Sequence, residues 1–293
     1  MYNLFKSAIH YFMKGVCFME HNATTIVFGC GKGGVAKTTS CVIMAHLLGK
    51  RGYKVLVIDA DHQGNASKGY GFFEDTTSDK SLFNYLIDFC RNPKRDARPN
   101  AIDYIRNTSY KNIDIITGDP RLQNDELEAA ITSLEIKMKI DPLNILISQI
   151  KELNQYDYVL IDSRPDMGIV VTSIFQASDW VLVPTTISDN ALDGATNTVY
   201  FVEDLMDAGC KVKLAGVFFT MVDTRTELFK VNIPSAKENR FKDGDVLDTI
   251  IVQAEQIRKA ENLMKPASDA YPACAAVKKY DKLLDEVVNK IGK

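Results

Sequence analysis

The stretch Gly31-Lys32-Gly33-Gly34-Val35-Ala36-Lys37-Thr38-Thr39 carries the chemistry most readily named from residue types and spacing. Glycines let backbone amides close around an anion, and amides at a following helix start would meet it with the positive end of the helix dipole. Lys37 supplies a point charge for the outer groups of a polyphosphate, and the Thr38 hydroxyl suits a Mg²⁺ ion. Ala36 stands where the general G-x-x-x-x-G-K-[ST] pattern has its last glycine, and it is expected to keep φ negative at the helix entry. Carboxylates follow two apolar runs further on, at Asp59 and Asp61 and at Asp162. The carboxyl ends of parallel strands are where open α/β sheets bind ligands.

Those residues need strands behind them and helices after them. Thr25 to Phe28 reads as a buried strand and Cys41 to Leu48 as a helix ended by Gly49 to Gly52, the order a phosphate loop requires. Further strands are expected at Lys54 to Ile58, Ile113 to Ile116, Tyr158 to Asp162, Trp180 to Thr185, Val212 to Phe219 and Val246 to Ile251. Helices are expected at Leu82 to Ile87, around 122–135 and 143–153, from Asp189 onward, and along the stripe Val277, Tyr280, Leu283, Leu284, Val287, Val288 and Ile291. Strands alternating with helices predict an α/β fold: a twisted, mostly parallel sheet with helices on both faces, in a single domain over residues 24–293. Residues 1–23 form an N-terminal extension. The apolar spacing of Leu4, Phe5, Ala8, Ile9, Phe12, Met13 and Val16 fits a packed helix or a membrane-surface helix. Alternatively translation starts at Met19, the reading favoured here. The extension is too short for a helix-turn-helix domain, so direct reading of an operator is not expected.

Composition narrows the class. With 46% hydrophobic and 25% charged residues among 293 and no bilayer-length apolar run, the expectation is a cytoplasmic globular protein. The formal net charge of −3 excludes a uniformly basic nucleic-acid coat, so DNA binding would need a local patch. Cys17, Cys30, Cys41, Cys90, Cys210 and Cys274 form no C-x-x-C pair, which argues against a disulfide framework, a zinc site or a bridging iron–sulfur cluster. Cys30 beside the loop is read as a buried filler before an oxidation-sensitive group.

The run KGGVAKTT, with its early Lys32, resembles the deviant Walker A motif of the ParA/MinD family of P-loop ATPases. Asp59-Ala60-Asp61-His62-Gln63-Gly64-Asn65 resembles that family's D-x-D-P-Q-G-N switch, with His62 for proline. Tyr158-Val159-Leu160-Ile161-Asp162-Ser163-Arg164-Pro165 resembles its Walker B strand and second switch, with Arg164 for the first proline. Ala191-Leu192-Asp193-Gly194 resembles an A-L-x-G element at the dimer face, and Thr220-Met221-Val222-Asp223-Thr224-Arg225-Thr226 resembles T-M-x-D-x-R-T. The resemblance spans residues 24 to 291 and implies ATP/ADP and Mg²⁺ as cofactors. It implies nucleotide contacts from Gly31 to Thr39 and metal contacts from Thr38, Asp61 and Asp162. Catalytic roles would fall to Lys37, to Asp61 as orienter of the attacking water, and to Lys32 reaching the partner's nucleotide in a homodimer. Thr220, Met221 and Val252 would wrap the adenine; Asp223 and Arg225 could instead cap the next helix.

The implied function, closest to the Soj-like branch, is ATP-dependent DNA partition. An ATP-bound sandwich dimer would bind nucleoid DNA without sequence preference, and a ParB-type centromere-binding protein would release it by stimulating hydrolysis. Arg258, Lys259, Lys265, Lys278 and Lys279 are the candidate DNA contacts, with an ordinary solvated face as the alternative, and the family's arginine after the last strand is Gln253 here. The polar loop Arg91 to Pro99 could also touch DNA, but a solvated excursion is the expectation. The other class is a MinD- or FlhG-like positioning ATPase at a membrane. The C-terminal apolar stripe is expected to pack on the sheet instead.

Overall fold

The computed structural model describes residues 23–72, 79–166 and 168–292. The helical reading of residues 4–16 and the alternative start at Met19 lie outside them. Strands are β1 (Thr24–Phe28), β2 (Val55–Ala60), β3 (Arg106–Asn107), β4 (Ile113–Ile116), β5 (Tyr158–Ser163), β6 (Trp180–Thr185) and β7 (Lys213–Phe219). Helices are α1 (Lys37–Lys50), α2 (Asn65–Gly69), α3 (Leu82–Arg91), α4 (Asp125–Met138), α5 (Pro142–Glu152), α6 (Ile169–Ala177), α7 (Asp189–Asp207), α8 (Glu227–Asn239), α9 (Glu255–Asn262), α10 (Ala267–Ala270) and α11 (Ala275–Lys290).

The strands form one seven-stranded sheet in the order β3-β4-β2-β5-β1-β6-β7, parallel except for the edge strand β3. Its central strands are buried throughout, as near-continuous apolar runs in a doubly covered parallel sheet must be. Alternation still divides the core between the two faces. Val27, Leu56, Ile58, Val159 and Ile161 pack with residues of α3 to α7, whereas Phe28, Val55, Val57 and Leu160 pack with α1 and α11. The first helix is apolar nearly all round because the sheet lies on one side and the C-terminal helix on the other.

The stripe of α11 is buried in this way through Val277, Tyr280, Leu283, Leu284 and Val287, as expected from its spacing. No helix among the described residues is long and apolar enough to cross a membrane. The loop after α3 is largely exposed, with Arg98 stacked back over Phe89 at 5.4 Å.

One expected strand fails to form. Val246 to Ile251 runs beside β7 without a continuous ladder: Val217 bridges Val246, the Leu247 and Ile251 amides donate to the Val217 and Phe219 carbonyls at 2.8 Å each, and beyond β7 Val222 bridges Val252. Between them the amides of Asp248 and Thr249 turn away to the Glu286 carboxylate on α11, at 2.5 and 3.0 Å. The ladder is broken because those donors are already satisfied elsewhere.

Parallel register builds the site. Asp162 at the end of β5 lies opposite Phe28 of β1 on one side and Asp59 of β2 on the other. The two carboxylates therefore flank the point where the chain leaves β1 for the glycine-rich loop.

Candidate phosphate-binding site

The loop joins β1 to α1 and turns twice through left-handed backbone, at Gly34 (φ 76°) and at Ala36 (φ 65°, ψ 34°). The expectation of a negative φ at Ala36 is thus corrected. Left-handed backbone costs an alanine about 1–2 kcal/mol. In this position its carbonyl starts α1, accepting from the Ser40 amide at 3.0 Å and the Ser40 hydroxyl at 2.6 Å. The small methyl keeps the penalty at the low end.

Neighbouring elements hold the loop open. The Gly31 amide donates to Thr198 Oγ1 at 3.1 Å, and that hydroxyl donates to the Gly194 carbonyl at 2.7 Å. Thr220 Oγ1 lies 3.1 Å from both the Val35 and Thr185 carbonyls, sharing its one proton between them. Thr220 is therefore fully buried and spent on the loop's main chain. Met221 and Val252 do line the adjoining cavity. Asp223 and Arg225 pair with each other at 2.8 Å and leave the cap of α8 to Thr226, whose hydroxyl accepts from the Phe229 amide.

Lys37 curls back over the loop, donating to the Cys30 carbonyl at 3.2 Å and the Lys32 carbonyl at 2.8 Å. Burial lowers the pKa of this ammonium, with the charges of Asp162 and Asp61 among those opposing the shift. Lys32 itself is exposed. It is held by Gly194 of α7, where an added Cβ would come within 2.8 Å of Lys32 Cβ. Only a glycine lets that helix approach the lysine so closely. Cys30 is buried, and burial raises its thiol pKa, as suits a packed filler.

The acidic groups divide their labour. Asp59 is wholly buried; its Oδ2 accepts from the amide and hydroxyl of Ser67 at 2.7 and 2.6 Å, and its Oδ1 from the Asp61 amide at 3.2 Å. Burial pushes its pKa up to about 6, these hydrogen bonds holding it lower than burial alone would. It shapes the turn that carries Asp61, which caps its own turn by accepting from the Gln63 amide at 2.9 Å. His62 Nδ1 stands 3.3 Å from Asp61 Oδ1 without forming a hydrogen bond.

Asp162 is different. It is wholly buried, and neither of its oxygens has a hydrogen-bond partner. Burial raises its pKa well above the ordinary value, and repulsion from Asp59 adds to this; the Thr38 hydroxyl is near enough to favour the charged form without closing a bond. An orphaned buried carboxylate beside a threonine hydroxyl is a donor set suited to a hard divalent cation or its bound water. Thr38, Asp61 and Lys37 line one cavity of about 580 Å³, which opens next to another of about 620 Å³ around Met221 and Val252.

After β5 the chain is anchored by Arg164. This buried side chain donates to the Leu122 carbonyl at 3.2 Å and pairs with Glu128 of α4 and, at 2.7 Å, with Asp166. Nothing in the local sequence marks Glu128 as its partner. Of the basic residues considered for DNA, Arg258 and Lys265 line the cavities and Lys259 pairs with Glu255 at 3.1 Å. Lys278 and Lys279 are exposed on α11. The structure thus gathers the loop, Asp61 and Asp162 in one place and spreads the basic residues over several elements.

A parallel sheet whose central strand runs through such a loop into a buried helix, with carboxylates at the ends of the neighbouring strands, defines a P-loop nucleoside-triphosphatase fold. An AAA domain family matches residues 23–215. The chain is 31% identical over 260 residues to the sporulation initiation inhibitor protein Soj of Bacillus subtilis, spanning 87% of this chain and 94% of Soj. It is 30% identical over 261 residues to the chromosome partitioning protein ParA of Caulobacter vibrioides, spanning 88% and 91%. Among solved structures, an ATP complex of a Cyanothece McdA variant has a TM-score of 0.73 at 21% identity, over 92% of this chain and 97% of that one. The septum site-determining protein MinD of Pyrococcus horikoshii, complexed with Mg-ADP, has a TM-score of 0.70 at 22% identity, over 92% and 98%. The chain belongs to the ParA/MinD family of P-loop ATPases.

Proposed function

We propose that this protein is a Mg²⁺-dependent ATPase whose ATP-bound form is a sandwich dimer that binds DNA without sequence preference and lets go after hydrolysis. The observation that carries the catalytic part is the unpartnered Asp162 carboxylate beside Thr38, next to a loop whose lysine is satisfied only by main-chain carbonyls. Thr38, with Asp162 and Asp61 through water, would hold the cation, which supplies electrostatic stabilisation of phosphate charge. Lys37 exchanges its two carbonyls for phosphate oxygens, and the loop amides complete the cradle. Asp61, buried but lining the cavity at the loop and fixed by its own turn, orients the nucleophile.

Lys32 supports the dimeric part. It is exposed at the loop's edge, with the preceding Gly31 amide tied to Thr198 and its own backbone against Gly194, as a residue presented to another subunit's phosphates would need. A dimer held by γ-phosphates dissociates when that bond is cut, which makes the protein a timed switch. Similarity to Soj and ParA over most of the chain supports a role in DNA partition with a ParB-type partner. The buried stripe of α11 speaks for this rather than a membrane-positioning role.

The test is DNA retention and sizing with a slowly hydrolysed ATP analogue against ADP. The analogue should give a dimer whose affinity for arbitrary duplex falls with log salt, at a slope of about −0.9 per phosphate neutralised. Equal retention in both nucleotides, or none in either, would refute the DNA-binding switch.

A further inference from the structure

The two cavities share five lining residues: Ala36, Thr39, Met221, Ile257 and Glu261. On one side of this waist stand Lys37 and Thr38, and on the other Val252 and Gln253. A nucleotide with its phosphates on the loop and its base in the other cavity must pass its sugar through the waist. Glu261 alone among the five is charged. Its Oε1 accepts from Thr39 Oγ1 at 2.6 Å, and the carboxylate forms no other hydrogen bond among the described residues. That bond ties the side chain of α9 to the start of α1 and aims it across the waist. Ile257, one helical turn earlier, fills the same wall, and buried Ala260 seats the helix. A carboxylate is tolerable so close to phosphates because Lys37 and Lys265 line one cavity and Arg258 the other.

We propose that Glu261 is the residue that reads the sugar: its carboxylate accepts from a ribose hydroxyl, so the site takes ribonucleotides in preference to 2′-deoxyribonucleotides. This rests on the nucleotide site described above and adds the recognition of its middle part. Hydroxyls are donors, and a carboxylate is an acceptor with capacity left after one bond to Thr39. The Thr39 hydroxyl acts as a positioning group, holding the carboxylate at one distance from the loop.

Calorimetric titration with Mg-ADP and Mg-2′-deoxyADP tests this while avoiding turnover. The unaltered protein should bind ADP about tenfold or more tightly than the deoxy form, as expected of a hydrogen bond to a charged acceptor. Glu261→Ala should bind the two equally while still binding both. Glu261→Gln should fall between, and Thr39→Val should shrink the preference by loosening the carboxylate. Glu261 is exposed, so its own variants leave the core untouched. Equal affinities in the unaltered protein, or an undiminished ratio in Glu261→Ala, would overturn the assignment to Glu261 while leaving the nucleotide site standing. Failure to bind either nucleotide would overturn both, and Lys37→Ala run beside them locates any binding seen at the loop.

Discussion

Asp162 presents a test that does not depend on turnover. Replacing it with asparagine keeps the shape of the side chain and removes the charge. The carboxylate is wholly buried, both oxygens lack hydrogen bonds, and Asp59 lies beside it in the strand register. An ionised group in that state costs several kcal/mol, whereas an unpartnered amide costs about 1–3 kcal/mol. The nucleotide-free variant should therefore be more stable than the native protein by about 2 kcal/mol, raising Tm by about 4 °C. The pH dependence fixes the sign. Both Asp162 and Asp59 have folded-state pKa values above the ordinary 3.8, Asp59 at about 6. A raised carboxyl pKa contributes stability that is fully present below the unfolded value and lost as pH rises through the folded one. The native protein should thus lose stability as pH rises from about 4 toward neutrality, with Asp59 and Asp162 both contributing to the loss. Asp162→Asn should remove part of that slope.

Thermal melts in chelator, with no nucleotide, across pH 4 to 8 measure this. The gap between variant and native Tm should be widest at pH 7.5 and shrink as pH falls toward 4. Addition of Mg-ATP should stabilise the native protein and move the variant much less, because the charge that destabilised the empty fold is the one the cation needs. A variant that melts below the native protein at pH 7.5, or a gap that does not change with pH, would show that Asp162 is satisfied in the empty protein and refute the reasoning.

Four further outcomes follow from the same geometry. Lys37→Ala should abolish nucleotide binding in calorimetry, because among the described residues no other side-chain amine makes its two carbonyl contacts to the loop. Lys32→Ala should bind ATP and remain monomeric by light scattering; a normal ATP dimer would remove its cross-subunit role. Thr220→Val should lose about 1–2 kcal/mol in urea unfolding, by leaving the Val35 carbonyl without its hydroxyl donor, and should weaken nucleotide binding through the loop alone. Ala36→Gly should gain about 1 kcal/mol in thermal unfolding by relieving the left-handed alanine; a lower Tm would show that the loop tolerates this φ without strain.

Much of the site was legible because one physical constraint wrote it into a short span. A loop that wraps a phosphate must have glycines and a lysine at fixed offsets, and its strand and helix must be adjacent in the chain. The carboxylates at Asp61 and Asp162 were legible for a related reason: each ends an apolar run, and the ends of parallel strands converge. What sequence could not supply was the support from far along the chain. Thr198 and Gly194 reach the loop across more than 160 residues, Thr220 buttresses it from the end of β7, and Arg164 finds Glu128 on α4. No local pattern specifies such partners, since each is set by how the helices settle on the sheet. Of the two expectations that failed, one has the same origin: the stretch Val246 to Ile251 breaks as a strand because Glu286, on a distant helix, claims its amides. The left-handed turn at Ala36 is local, its carbonyl accepting from Ser40 at the start of α1. Glu261 belongs with these cases: an exposed glutamate in a charged helix carries no mark of its own. Its hydrogen bond to Thr39 and its place between the two cavities turn it into a candidate for reading the sugar.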